Sequence, residues 1–330
     1  MEHVRFGRTG LQVSRLCLGT MTFGLQCDEE TSRAILNRAS DGGITFLDTA
    51  DAYPLGGDVS QNGRTEEILG RWLQGRRQDY IVATKCFGAM SPRRWDRGNS
   101  RKHILDAIDA SLERLQTDYV DLYQLHGMDA DTPVDETLRA LEDVVRSGRA
   151  RYIGVSNWLA YQLARANGKA EVMGVTQFSS VQPRYNLVFR EFERELFPLC
   201  AEEGIAVIPY NPLAGGLLTG KHSGDDEPLE GTRFALGNSA TTYRTRYWHD
   251  REFETVEDIR LVADEAGLPM TQMAIAWVLA NPTITAPIIG ASRPEQLHDS
   301  LAALDQPLSI DVKQRLDDIT DDYRMGDAIR

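Results

Sequence analysis

The sequence predicts a single (β/α)8 barrel spanning residues 1–330, on three observations. Strand-like and helix-like segments alternate along the chain, and eight strands can be counted. Several strands are continuous apolar runs, as suits a parallel sheet covered on its outer face by crossover helices. No GxGxxG follows the first strand, so the fingerprint expected of an open dinucleotide-binding sheet is missing.

Residues 3–15 place Gly7 and Gly10 around a polar turn, which reads as a hairpin ahead of the main fold, suited to plugging one barrel end. Leu16–Thr20 is the first barrel strand. In the helix of 29–43 that follows, Ala34, Ile35 and Ala39 recur at helical spacing, and Gly42 and Gly43 stop it. Strand 44–48 leads to helix 65–75, strand 80–85 to helix 100–115, and strand 119–126 to helix 133–148. Strand 150–157, helix 158–168, strand 175–182, helix 191–204 and strand 205–212 continue the pattern. Two helical stretches, 253–267 and 270–281, precede a short strand at 286–290 and a helix at 293–304. Residues 221–251 are long, polar and dotted with aromatics, beyond what a connection needs, and form a candidate lid. Residues 309–324 read as an extra amphipathic helix outside the barrel, with Met325–Arg330 as a loose tail.

Composition narrows the function. With 42% hydrophobic residues the chain has ample core material. Its 49 acidic against 36 basic residues give net −13, a field that repels a phosphate backbone, so nucleic acid is excluded as the expected partner. The most apolar late stretch is interrupted by Asn281 and Pro282, and the N-terminus lacks a signal pattern, so no membrane association is expected and a cytoplasmic location is. Cys17, Cys27, Cys86 and Cys200 match no zinc or CxxC spacing; buried thiols are expected, and no metal.

Four polar residues fall at or just beyond strand ends on one rim: Asp48, Tyr53, Lys85 and His126. Singly, each has an ordinary reading as a cap, a packing residue, a solvated charge or a core imidazole. Jointly they make proton chemistry. An ammonium beside a phenol stabilises phenolate and would lower the phenol pKa, so Tyr53 beside Lys85 would protonate a developing alkoxide. Asp48 would hold Lys85 by a salt bridge, and His126 would donate a hydrogen bond or pass on a proton.

FLDTADAY, TKCFG, LYQLHG, IGVSN, VQPRYN, PYNPLAGGLLTGK and PIIGASRPEQL together resemble the aldo-keto reductases, from the FGRTGLQVSRLCLGT start to about Leu304. The resemblance implies carbonyl reduction with NADPH (NADP+ in reverse), with Asp48, Tyr53, Lys85 and His126 as catalytic tetrad and Tyr53 as general acid. It implies that Ser156, Asn157 and Gln182 bond the carboxamide and that Tyr210 stacks on the nicotinamide. Along Pro212 to Lys221, Leu213, Gly215, Gly216 and Leu217 would wrap the pyrophosphate, with charge from Lys221. Gly19, Thr20 and Gly290 are further candidates along that groove. Ser292 and Arg293, at a helix start, would take a 2′-phosphate, which favours NADPH over NADH. Gln296 and Asp299 would reach the adenosine, where Ser300 stands in place of the Asn that relatives often carry.

The substrate pocket would be lined by Met21, Phe23, Leu55, Trp95 and Trp158, suiting an apolar or ring-shaped carbonyl compound. Arg93, Arg94 and Arg97 lie near the same rim and would meet an anionic or phosphorylated substrate, or only solvent. A second reading from another class is a redox-sensing module, similar to the potassium-channel β-subunits, that binds the cofactor and a protein partner with slow chemistry. The sequence leaves the carbonyl, the direction and the oligomeric state open.

Overall fold

The computed structural model describes residues 1–224 and 226–325. Strands β1 (His3–Arg5) and β2 (Gln12–Ser14) pair antiparallel ahead of eight parallel strands. These are β3 (Cys17–Gly19), β4 (Phe46–Asp48), β5 (Ile81–Cys86), β6 (Val120–Leu125), β7 (Ala150–Ser156), β8 (Ser180–Gln182), β9 (Ala206–Val207) and β10 (Ile288–Ile289). Their order is β10-β3-β4-β5-β6-β7-β8-β9. The two ends of that order meet, because Thr285 N donates to Val207 O at 2.8 Å and Ile288 N to Pro209 O at 2.8 Å. The sheet is a barrel, as the alternation predicts.

Outside it lie α1 (Glu29–Asp41), α2 (Arg64–Leu73), α3 (Arg101–Leu115), α4 (Val134–Arg146), α5 (Ala160–Met173) and α6 (Leu196–Glu203). The chain continues with α7 (Ala240–Tyr247), α8 (Asp250–Ala266), α9 (Met270–Leu279), α10 (Leu297–Ala302) and α11 (Ile310–Ile319). Local chemistry sets their ends: Asp28 accepts from Thr31 N to start α1, and Ser100 from His103 N to start α3. Helix α5 runs past Gly168, where an added Cβ would meet nothing, and stops at Gly174, whose φ is +66°. The region 191–204 splits into a 3-10 turn at Glu191–Glu193 and α6, and 293–304 likewise begins with a 3-10 turn at Pro294–Gln296.

Two cores flank the barrel wall. The inner one joins Phe46, Ala83, Leu122, Ala206 and Ile288 to Phe6 and Val13 of the hairpin, with Phe6 edge-on to Phe46 at 5.9 Å. The hairpin thus closes the barrel from the end opposite the site. It also shortens β4: Ser14 Oγ accepts from Thr45 N and Phe46 N, so the start of the ITFLD run bonds to the hairpin. The outer core lies between strands and helices. The four cysteines are all buried thiols, and among the described residues no helix is long and apolar enough to cross a membrane.

The segment 221–251 is folded rather than open. It holds a 3-10 turn at Gly237–Ser239 and α7, and it buries Phe234, Tyr243 and Tyr247. It spans the rim: Gln26 donates to Gly231 O at 2.5 Å, and a Cβ on Gly237 would meet Gly56 O at 2.6 Å. Helix α11 packs outside the barrel through Leu316, and Trp277 Nε1 on α9 donates to Asp317. Met325 ends an ordered 3-10 turn, Asp321–Met325, against the expected loose tail; residues 326–330 lie outside the described residues.

Candidate active site

Parallel pairing sets the register of the site. Asp48 ends β4 opposite Gly19 and Ala83, and Lys85, near the end of β5, pairs with Gln124 of β6. The chain beyond Asp48 stays against β5, with Thr49 N on Ala83 O and Asp51 N on Lys85 O, and this delivers Tyr53 to the same rim.

Lys85 is completely buried, and its ammonium has three partners: Asp48 Oδ2 at 2.6 Å, Thr49 O at 2.8 Å and Tyr53 OH at 3.3 Å. An ammonium has three N–H bonds, so each is used. Toward Lys85 the phenol oxygen is therefore an acceptor, which leaves its own O–H free to donate elsewhere. Asp48 Oδ1 in turn accepts from Gln182 Nε2 at 2.9 Å and Gln124 Nε2 at 3.2 Å, so the buried carboxylate is bonded on both oxygens. Burial works against the Lys85 ammonium, but Asp48 and Tyr53 outweigh it and hold its pKa above the ordinary value.

Tyr53 departs from expectation. Burial pushes the phenol pKa up; Lys85 opposes this, but Asp48 next to it cancels part of the ammonium field, and the net shift is upward. The phenol is a protonated group that holds a proton to give, not a preformed phenolate. A second acid pair lies behind: buried Glu66 bonds Thr84 and Arg114, while burial and the charge of Glu66 push the Asp51 pKa well up. Burial thus disfavours the charged form of Asp51, and Asp48 is the carboxyl group that faces Lys85.

His126 stands edge-on to Tyr53, with ring centroids 5.6 Å apart and planes at 78°. Burial, then the Lys85 charge, drive its pKa down to about 3. A depressed imidazole pKa means that protonation costs stability only as pH falls below the ordinary 6.5. At neutral pH the ring is uncharged and can donate a hydrogen bond from N–H, but it has no imidazolium proton to pass on. The pH profile of kcat/KM should consequently show no inflection near 6.5 from this residue; an inflection there that disappears in His126→Asn would contradict the assignment.

Around the tetrad, Ser156 Oγ donates to Gln182 O at 2.9 Å and Asn157 Nδ2 to His126 O at 3.0 Å, while Tyr210 OH donates to Asn157 Oδ1 at 2.8 Å. Asn157 holds φ +60°, a conformation Asn tolerates better than most residues. Thr20 bonds Asp48 O, and a Cβ on Gly19 would strike Ile288 at 2.7 Å, so Gly19 serves strand packing; a Cβ on Gly290 would just touch Gly19 O, at 3.9 Å. Pro212 and Leu217 are buried packing residues and Leu213 is partly buried.

A basic groove follows. Gly215, Gly216 and Gly220 have φ of +72°, +106° and +72°, and a Cβ on Gly216 would meet only the Lys221 side chain, at 3.6 Å. Burial and the positive charge of Arg293 lower the Lys221 pKa, and neither cation has an ion pair among the described residues. Arg233 adds a buried Nη1 with no hydrogen-bond partner among the described residues. Gln296 accepts from Ser292 N at 2.8 Å, Asp299 is partly exposed, and Ser300 is buried.

The expected pocket lining divides. Met21 and Leu55 are partly buried and linked, Leu55 N donating to Met21 O, and Trp95 is 57% exposed. Phe23 and Trp158 are sealed in the outer core, Trp158 against Phe178 at 5.5 Å, and present no surface to a ligand here. Two residues escaped sequence reasoning. Gln124 sits inside an apolar strand, where a lone amide was its signal, and Arg233 sits in the polar 221–251 segment, where nothing distinguished it from its neighbours.

The aldo/keto reductase family profile matches residues 15–321. An uncharacterized oxidoreductase, YrpG, of Bacillus subtilis is 40% identical over 97% of this chain and 96% of its own. A probable voltage-gated potassium channel subunit beta of Arabidopsis thaliana is 39% identical over 92% of each chain. Versiconal hemiacetal acetate reductase of Aspergillus parasiticus is 33% identical over 96% of each. With a barrel of this order and a family match over nearly its whole length, the chain belongs to the aldo/keto reductase family.

Proposed function

We propose that the protein reduces an aldehyde or ketone to the alcohol with NADPH. The observation that carries this reading is the third N–H of Lys85 on the Tyr53 oxygen, which leaves the phenol O–H free to donate. When bound, the nicotinamide would supply the hydride that reaches the carbonyl carbon. Tyr53 would give its proton to the carbonyl oxygen as negative charge develops there, and Lys85, anchored by Asp48, would stabilise the phenolate left behind. His126, neutral, would donate a hydrogen bond to the same oxygen. Thus one hydride and one proton add across C=O, and the phenolate is reprotonated from solvent.

The residues present fit the cofactor. Tyr210 would lie on the nicotinamide, Asn157 and Ser156 would bond its carboxamide, and Gln182, whose Nε2 is held by Asp48, would offer its carbonyl oxygen. Lys221, Arg293 and the buried Arg233 Nη1, none with an ion pair among the described residues, suit the pyrophosphate and a 2′-phosphate. Gln296, Asp299 and Ser300 lie toward the adenosine. Met21, Leu55 and Trp95 are the proposed substrate contacts.

The relative named versiconal hemiacetal acetate reductase favours the reductase reading; those named potassium channel subunit beta favour a cofactor-binding sensor with slow turnover. Steady-state assays with NADPH and NADH against aldehydes, ketones and keto-sugars separate them. Rapid turnover with NADPH preferred, and that preference lost in Arg293→Ala, is expected. Tight cofactor binding without turnover on any carbonyl would favour the sensor.

A further inference from the structure

The two loops that carry Tyr53 and follow Lys85 line an open cleft of about 390 Å³. Its apolar wall is Val59, Ala89 and Pro92, and its charged wall is Arg93, Arg94 and Arg97. In a chain of net −13, three guanidinium groups within five residues on one cavity are a local reversal of charge. Arg93 is paired with Asp96 at 3.5 Å, and the other two guanidinium groups have no such partner. Asp58 is taken up by Ser60, and no ion pair joins Arg94 or Arg97 to any described residue.

The loop is held in this shape. Met90 N donates to Asp96 O, Gly98 N to Phe87 O at 2.8 Å, Asn99 N to Asp129 Oδ2 at 2.8 Å, and Asn62 Nδ2 to Ala89 O at 3.0 Å. Its link to the tetrad is short: Gly63 N bonds Tyr53 O, and a Cβ on Gly88 would meet the Ala52 methyl at 2.9 Å. Guanidinium forks match the oxygens of a phosphate, and Arg94 and Arg97 are the two here that no carboxylate pairs.

We propose that this cavity holds the phosphate of a phosphorylated carbonyl substrate while its carbonyl lies at Tyr53. The placement of the carbonyl rests on the reductase reading; the anion subsite does not. The test uses the whole protein saturated with NADP+, which covers the Lys221 and Arg293 groove. Glycerol 3-phosphate, glycerate and glycerol are titrated calorimetrically into the wild type and an Arg94→Gln/Arg97→Gln variant, both residues being exposed. In parallel, kcat/KM for glyceraldehyde 3-phosphate is divided by that for glyceraldehyde.

Glycerol 3-phosphate should bind tighter than either analogue, and the variant should lose roughly tenfold in that affinity and in the kcat/KM ratio, through KM, with partial recovery in Arg94→Lys/Arg97→Lys. Equal binding to wild type and variant would overturn the proposal, as would glycerate binding as tightly as glycerol 3-phosphate. Reduction of neutral carbonyls without the phosphate preference would sink the subsite and leave the reductase reading standing. Arginine-dependent binding without any turnover would do the reverse.

Discussion

Lys85→Met should destabilise the protein by about 3–5 kcal/mol and end turnover, because it leaves the Asp48 carboxylate buried without its cation. Asp48 would keep only the neutral donors Gln124 and Gln182. The double variant Lys85→Met/Asp48→Asn should recover much of the stability, since no unpaired charge remains, and recover no activity. The folded pKa of Lys85 lies above its ordinary 10.5, so the pair's contribution is fully present at neutral pH and fades only as pH rises through the folded value. Denaturant unfolding of wild type, single and double variants checks both signs. A single variant as stable as the wild type would show that Asp48 and Lys85 are not charged partners.

Tyr53→Phe should lower kcat/KM for carbonyl reduction by about 10²–10⁴-fold, the range for loss of a positioned general acid. The loss should appear in kcat, because the ring keeps its packing against His126 while only the hydroxyl is removed. NADPH affinity, read by fluorescence titration, should stay near wild type, since the Tyr53 hydroxyl bonds Lys85 and not the basic groove. Undiminished turnover would assign the proton to another group.

The alternation of the barrel was legible because each strand and helix carries its own apolar pattern, and the rim followed because parallel strands must all end on one side. Asp48, Lys85 and His126 could be read as strand-end residues for that reason alone, and the structure does bring them to Tyr53. The direction of the Tyr53 pKa shift was not legible. It depends on how much water the folded rim excludes, and burial reverses the effect expected from Lys85 alone. The neutral state of His126 has the same origin. Phe23 and Trp158 follow strand ends, where an aromatic suits a pocket lining; whether such a ring faces the cleft or the helices is settled by packing, here against Phe178 for Trp158. Thr45 looked like strand, yet its N–H goes to Ser14 of the hairpin, a long-range contact that local periodicity does not contain.

Whether Tyr53 delivers a proton to a carbonyl as hydride arrives is decided by a single turnover: wild-type and Tyr53→Phe protein, each loaded with one equivalent of NADPH, are mixed rapidly with an unhindered aldehyde while bound nicotinamide absorbance and alcohol formation are followed. The wild type should oxidise its bound cofactor in step with the appearance of one equivalent of alcohol, and Tyr53→Phe should do so at least about 10²-fold more slowly. Wild-type cofactor that stays reduced beside unchanged aldehyde, or a Tyr53→Phe variant as fast as the wild type, would overturn that role.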